Sequence, residues 1–260
     1  MSISTRQIAT FLHVDVEIVS FIPELLADFD ELGSFPETIV ALLRDVDWPK
    51  KDARVLDLGS GLGAVSRAIA GEYQCRVTGV DMLKPFVAEA CRRAEIAGLG
   101  RLCHFQCGDI GELLEGDHRF DVALLLSVGD ALGPMDQTVR RLRRAVRPAG
   151  HIVIDDGYAR DEEPITFPGY EYLETHETLL AQLTSHGDEL VQEMTIPLDE
   201  VRTQNRLYTE RIAGRVRELS RKHPEHRESF EGYLERERRE CELLEDHVVC
   251  ATWLLRKGDG

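Results

Sequence analysis

The chain has 260 residues, of which 43% are hydrophobic and 30% charged, and a formal net charge of −16 at neutral pH. This is the composition of a folded globular protein, and its acid excess disfavours a nucleic-acid partner, because affinity for a phosphate backbone comes mainly from Lys and Arg. No apolar run approaches the roughly 18 residues a membrane span needs, and MSISTRQIATFLHVDVEIVS at the start lacks the basic, apolar and small-residue succession of a secretory leader. The expectation is a cytoplasmic protein that engages neither nucleic acid nor membrane.

Residues 1–50 carry helical patterns, among them 36–46, where Ile39, Leu42 and Leu43 share a face, and they are assigned as an N-terminal helical cap. From residue 51 short apolar runs alternate with helical spacing. RVLDL at 54–58, RVTGV at 76–80, LCHFQ at 102–106, DVALLL at 121–126 and HIVID at 151–155 read as strands of a parallel sheet covered on both faces. Helices are predicted between them over 64–73, 85–97 and 137–146. Right-handed crossovers then give a doubly wound α/β sheet.

Beyond the fifth strand, 171–186 reads as a helix and 188–197 (DELVQEMTIP) as a strand. A long charged helical stretch over 198–245 precedes a last apolar strand, HVVCATWLLR at 247–256. The two late strands are expected to pair antiparallel at the sheet edge. Residues 51–260 thus form one domain around a seven-stranded Rossmann-like sheet, mostly parallel with one antiparallel edge strand, with 198–245 as a helical insertion that acts as a lid.

The six cysteines, at 75, 91, 103, 107, 241 and 250, contain no Cys-x-x-Cys pair and read as small hydrophobes or free thiols. RRLRR at 140–144 reads as a helix that turns Val139, Leu142 and Val146 inward and leaves its arginines in solvent.

The sharpest local signal is VLDLGSGLG at 55–63, where a strand runs into three alternating glycines and then a helix. Glycine suits a tight turn that a ligand must approach without meeting Cβ atoms, so a nucleotide-like ligand is expected. Gly59, Gly61 and Ala64 also satisfy a relaxed dinucleotide pattern. Asp57 opposes that reading, because NAD would bring its pyrophosphate beside this carboxylate. S-adenosylmethionine, with a sulfonium and an ammonium against one carboxylate, is attracted by the same residue. Asp81 ends the second strand, placed to take both ribose hydroxyls, and Asp109 with Ile110 follows the third, placed for the adenine amino group and ring.

In order and spacing, VLDLGSGLG, VTGVDM, FQCGDI, FDVALLLS and RPAGHIVI resemble the successive motifs of class I S-adenosylmethionine-dependent methyltransferases of the small-molecule type. The resemblance covers about 53–157. It implies that Asp57, Gly59, Ser60 and Gly61 border the methionine moiety, with Gly63 helping the turn. Asp81 would bind ribose, Met82 flank the adenine, Asp109 and Ile110 complete the adenine pocket, and Leu126 and Ser127 lie beside the methionine part. The product would be S-adenosylhomocysteine.

Asp130, Asp156 and Tyr158, on loops after strand ends, are the candidates for touching the acceptor or taking its proton. Asp130, Asp155 and Asp156 also suggest a divalent metal, as in catechol-type O-methyltransferases, but the Asp expected at the end of the fourth strand is replaced by Leu126 or Ser127, and no metal is expected. No Asn/Asp-Pro-Pro-Tyr/Phe segment follows the fourth strand, which argues against methylation of DNA bases or protein glutamine. Three readings stand in order: a small-molecule methyltransferase acting by in-line displacement, a nicotinamide-dependent oxidoreductase, and a non-catalytic S-adenosylmethionine-binding module.

Overall fold

The structure, a computed structural model, describes residues 4–116 and 118–258. In chain order the elements are α1 (Thr5–Phe11), a 3-10 turn (Val16–Phe21), α2 (Ile22–Leu25), α3 (Pro36–Arg44), β1 (Arg54–Leu58), α4 (Ala64–Tyr73), β2 (Arg76–Asp81), α5 (Lys84–Ile96), β3 (Cys103–Cys107) and α6 (Ile110–Leu114). They continue with β4 (Phe120–Leu126), α7 (Met135–Ala145), β5 (Val146–Ala159), α8 (His176–Leu183), β6 (Glu189–Thr195), α9 (Leu198–Lys222), a second 3-10 turn (Pro224–His226), α10 (Arg227–Asp246) and β7 (Val248–Arg256).

The strands form one sheet in the order β3-β2-β1-β4-β5-β7-β6. β3, β2, β1, β4 and β5 are parallel, with Val55 paired to Val77 on one side and to Val122 on the other. β7 is the antiparallel strand. Lys257 N donates to Gly150 O and Arg160 N to His247 O on its β5 side, and Ile196 N donates to Cys250 O on its β6 side. The late strands therefore pair as expected, with β7 one place in from the edge that β6 occupies.

Two compact units are distinguished. The first comprises residues up to Phe29, Gly157–His176 and Thr195–Cys250; the second comprises Asp30–Asp156, Glu177–Met194 and the residues from Ala251. In the second unit the apolar runs of the central strands are buried on both faces, with Val55, Leu56, Leu58, Val122 and Leu124 fully inaccessible. α3 belongs to this core, where Ile39, Leu42, Leu43 and Trp48 pack with Val55, Ile69 and Val122. The expected boundary at residue 50 thus differs from the division at Phe29. Burying the apolar stripe of α3 requires α4: Trp48 lies edge-on to Tyr73 at 5.1 Å and donates its indole N–H to Leu43 O.

α7 departs from expectation at one position. Val139, Leu142 and Val146 are buried as predicted, but so is Arg143, which pairs with the buried Asp188 rather than with solvent.

In the first unit, α9 and α10 pack together, and the predicted single helical stretch is broken at Pro224, whose ring cannot continue a helix. Phe230 of α10 meets Phe21 edge-on at 5.1 Å. A smaller core joins Ala159, Ile165, Leu173, Leu243 and Val248. The helix expected over 171–186 is realised only as α8. Gly169 turns the chain in the left-handed region, and Thr175 bridges to Ala159 as extended backbone, so the residues before His176 bond to β5 instead of coiling. No helix among the described residues is long and apolar enough to cross a membrane.

Candidate functional site

The strand order reverses between β1 and β4, and the glycine loop leaves β1 at that point. In open α/β sheets this crevice beyond the carboxyl ends of the strands is where ligands bind. Gly59, Gly61 and Gly63 have φ of 76°, 50° and 73°, a region where a Cβ is strained. The loop is folded against the tip of β2: Gly59 N and Ser60 N both donate to Val80 O, at 2.8 and 3.0 Å, and Gly63 N donates to Ser60 O at 2.8 Å.

The three glycines differ in what surrounds them. A Cβ at Gly59 would lie 2.5 Å from Val128 Cγ2, and one at Gly63 would lie 2.6 Å from Phe105 Cζ, so both glycines are required by packing. At Gly61 the nearest neighbour is Leu32 Cδ1 at 3.5 Å. Gly61 is therefore the glycine whose missing side chain leaves room rather than avoiding a collision.

Asp57 is buried beneath this loop. Burial pushes its carboxyl up to about 6; the Ser66 hydroxyl, which donates to Oδ2 at 2.6 Å, pulls it down, and the nearby Asp81 charge raises it. Asp81 is buried at the end of β2, and burial raises it too, against two backbone donors: Leu83 N to Oδ1 and Gly61 N to Oδ2, each at 2.8 Å. Asp109 is exposed and caps α6, accepting from Glu112 N at 2.9 Å, with Ile110 as the first helical residue. Met82 is half-buried beside Cys107, whose thiol donates to Met82 O.

Leu126 is buried at the end of β4, and Ser127 follows it, exposed and with a φ of 53°. Asp130 is exposed in the next turn, and Asp156 is half-buried on β5 just after Asp155. The structure thus brings Asp57, the glycine loop, Asp81, Met82, Asp109, Ile110, Leu126, Ser127, Asp130 and Asp156 to the carboxyl ends of five adjacent parallel strands. Tyr158 lies in the other unit, its ring 4.5 Å from that of His176.

Sequence reasoning missed the hydroxyl cluster around Asp155. Thr252 donates to Oδ1 at 2.6 Å, Ser127 to Oδ2 at 3.1 Å, and Ser34 also donates to Oδ2. Burial raises the Asp155 carboxyl and the three hydroxyls oppose that rise. Ser34 is 121 positions away along the chain, and no local pattern signals such a pairing. With three hydroxyls on Asp155, the chemistry of this donor set is that of a hydrogen-bonded anchor rather than a metal ligand.

A methionine-type sulfonium nucleoside suits these residues better than a dinucleotide, because the buried Asp57 carboxylate lies at the loop where a pyrophosphate would need amides and cations, while the acid at Asp81 suits the ribose of either. Strand order, glycine loop and acidic strand tips together define the class I fold of S-adenosylmethionine-dependent methyltransferases. A family model described as a methyltransferase domain matches residues 49–215, well over half of the chain, and the protein belongs to that family.

Among its relatives, the chain is 32% identical over 126 residues to the uncharacterized protein YjhP of Escherichia coli K12, a match covering 48% of this chain and 50% of YjhP. It is 33% identical over 119 residues to the probable chloroplastic tocopherol O-methyltransferase of Oryza sativa subsp. japonica, covering 45% of this chain and 33% of the rice protein. The chain therefore spans about half the length, or less, of these curated relatives. In fold it is similar to a methyltransferase from Geobacter sulfurreducens crystallised with S-adenosylhomocysteine, with a TM-score of 0.77 and 24% identity over 91% of this chain and 97% of the other.

Proposed function

We propose that the protein binds S-adenosylmethionine at the glycine loop and transfers its methyl group to a small-molecule acceptor. The observation that carries this reading is the buried Asp57 carboxylate beneath a glycine loop left open at Gly61. Its charge repels a pyrophosphate and attracts a cationic amino-acid end. The rice relative, named for an O-methylation of tocopherol, supports a small acceptor.

In this reading Asp57, Gly59, Ser60 and Gly61 border the methionine moiety, Gly63 shapes the turn, and Leu126 and Ser127 close its far side. Asp81 takes the ribose hydroxyls on the lone pairs its two backbone donors leave over, because each carboxylate oxygen accepts more than one hydrogen bond. Asp109 keeps an oxygen beyond its cap for the adenine amino group, and Met82 and Ile110 flank the ring.

The cofactor supplies a methyl group on a sulfonium, whose leaving group is already activated. The chain's own contribution is therefore proximity, alignment for in-line displacement and exclusion of water, with no protein nucleophile. An acceptor that must lose a proton gives it to Asp130, Asp156 or Tyr158.

The reading is tested by thermal unfolding with S-adenosylmethionine, S-adenosylhomocysteine, NAD and NADP side by side. A ligand at 100 times its dissociation constant adds about 2.7 kcal/mol, several degrees at this size. The expected result is a shift with the two adenosyl ligands alone. A shift with a nicotinamide alone makes the chain a dehydrogenase, and adenosyl binding without S-adenosylhomocysteine formation over a panel of small acceptors makes it a binding module.

A further inference from the structure

The segment from Asp30 to Ser34 is fastened at both ends across the carboxyl ends of the strands. At one end Asp30 Oδ1 accepts from Arg67 of α4 at 2.6 Å and from Arg93 of α5 at 2.7 Å. Leu32 then reaches to 3.5 Å from where a Cβ of Gly61 would stand. At the other end Ser34 donates to Asp155 Oδ2 and lies 2.9 Å, oxygen to oxygen, from Ser127. Gly33 is left-handed with a φ of 86°, and a Cβ there would be 2.7 Å from both Cβ and Oγ of Ser127. The strap and Ser127 are thus in direct backbone-to-side-chain contact. Ser127 is further held by its own amide, which donates to Asp155 O at 2.8 Å.

An ionised carboxylate only accepts hydrogen bonds, whereas a serine hydroxyl has one proton and two lone pairs. Asp155 is 7% exposed and collects the hydroxyls of Ser34, Ser127 and Thr252, so the Ser127 proton is drawn inward. Ser127 itself is exposed. The face it offers outward is then made of lone pairs. We propose that Asp155 is a positioning residue that sets Ser127 as a hydrogen-bond acceptor for the ammonium of the cofactor's methionine moiety. This rests on the assignment of S-adenosylmethionine to the glycine loop.

Polarity is what distinguishes the idea from mere structural support. Replacing Asp155 by Asn puts an amide donor into the cluster and lets the Ser127 proton turn outward, toward a group that can only donate. The loss falls on ligands that carry the amino-acid end and spares those that lack it.

The test is calorimetric titration of the wild-type protein, Asp155→Asn and Ser127→Ala with S-adenosylhomocysteine and with 5′-methylthioadenosine, which has the nucleoside but no ammonium or carboxylate. Thermal unfolding checks that each variant is folded, and Ser127→Ala, which removes the acceptor itself, carries the test where Asp155→Asn does not fold. The expected result is S-adenosylhomocysteine weakened about tenfold in Asp155→Asn, and in the same direction in Ser127→Ala, with methylthioadenosine affinity within twofold of wild type. Unchanged S-adenosylhomocysteine affinity, or equal loss for both ligands, overturns the proposal. Wild-type protein that binds neither ligand overturns the cofactor assignment itself, and that failure is visible before any variant is made.

Discussion

The amide of Gly61 donates to Oδ2 of Asp81 at 2.8 Å, so the glycine loop after one strand is tied to the acidic tip of the next. The other oxygen of Asp81 holds Leu83 N at the same distance and shapes the start of α5. Asp81→Ala therefore removes the proposed ribose ligand and leaves two amides without partners. The expected outcome is a folded protein that is destabilised by about 1–3 kcal/mol, the cost of unmet backbone donors, and whose S-adenosylmethionine affinity falls at least tenfold. Urea unfolding and calorimetry on the same preparation check it, and wild-type affinity in the folded variant would defeat the ribose assignment.

Gly61 and Gly63 separate binding from packing. Gly61→Val places a branched side chain on the open side of the loop and is expected to abolish adenosyl binding, with a stability loss of about 1–2 kcal/mol from the left-handed backbone. Gly63→Ala drives a methyl group into Phe105 and is expected to cost more stability than Gly61→Ala. Thermal midpoints and titrations of the three variants give this order; a Gly61→Val protein that binds normally shows that the ligand does not approach there.

Asp57, held up to about 6 by burial, links function to pH. A cationic ligand end favours the ionised carboxylate, so affinity for S-adenosylmethionine is expected to fall as pH drops through about 6. Stability moves the other way. The folded state binds this proton more tightly than the unfolded chain, so the native state loses stability as pH rises from about 4 to about 6, by on the order of 3 kcal/mol if the whole shift is realised. Asp57→Asn is accordingly expected to be the more stable protein at pH 7 and the weaker binder. Denaturation and titration at pH 5 and pH 7.5 test both signs.

Arg143 and Asp188 form a buried ion pair, and Asp188 Oδ1 also accepts from Gly258 N at 3.0 Å. Asp188→Ala removes the counter-charge of the buried guanidinium, which keeps Gly258 O as an acceptor, and is expected to cost about 3–5 kcal/mol, with Asp188→Asn costing less because a second acceptor remains. A loss below 1 kcal/mol for Asp188→Ala in urea unfolding would show that Arg143 finds other partners.

The five parallel strands were legible because each is a short apolar run bounded by turn residues, and the helices between them because their apolar positions recur at helical spacing. The acids Asp57, Asp81 and Asp109 were legible for the same reason: strand, glycine loop and helix follow one another within a few residues. Less was readable where the partner is remote. Arg143 looks like its solvated neighbours until Asp188 is brought to it, and α3 looks like part of a separate cap until its apolar stripe is seen packed with the sheet. Just before α8 the predicted helical spacing gave way where Thr175 bridges to Ala159 and Glu174 O accepts from Ala159 N, because these backbone groups bond to β5 instead of to a helical turn.

What the sequence determined by itself is whatever short-range periodicity and turn chemistry encode: the alternating elements, the crossover hand, the glycine loop and the acids at the strand tips. Only the tertiary structure decided which hydroxyls meet Asp155, how the Asp30 to Ser34 strap crosses the glycine loop, and which of three glycines has open space beside it. Those facts depend on residues brought together from distant parts of the chain, where a hydrogen bond leaves no trace in the local pattern of either partner.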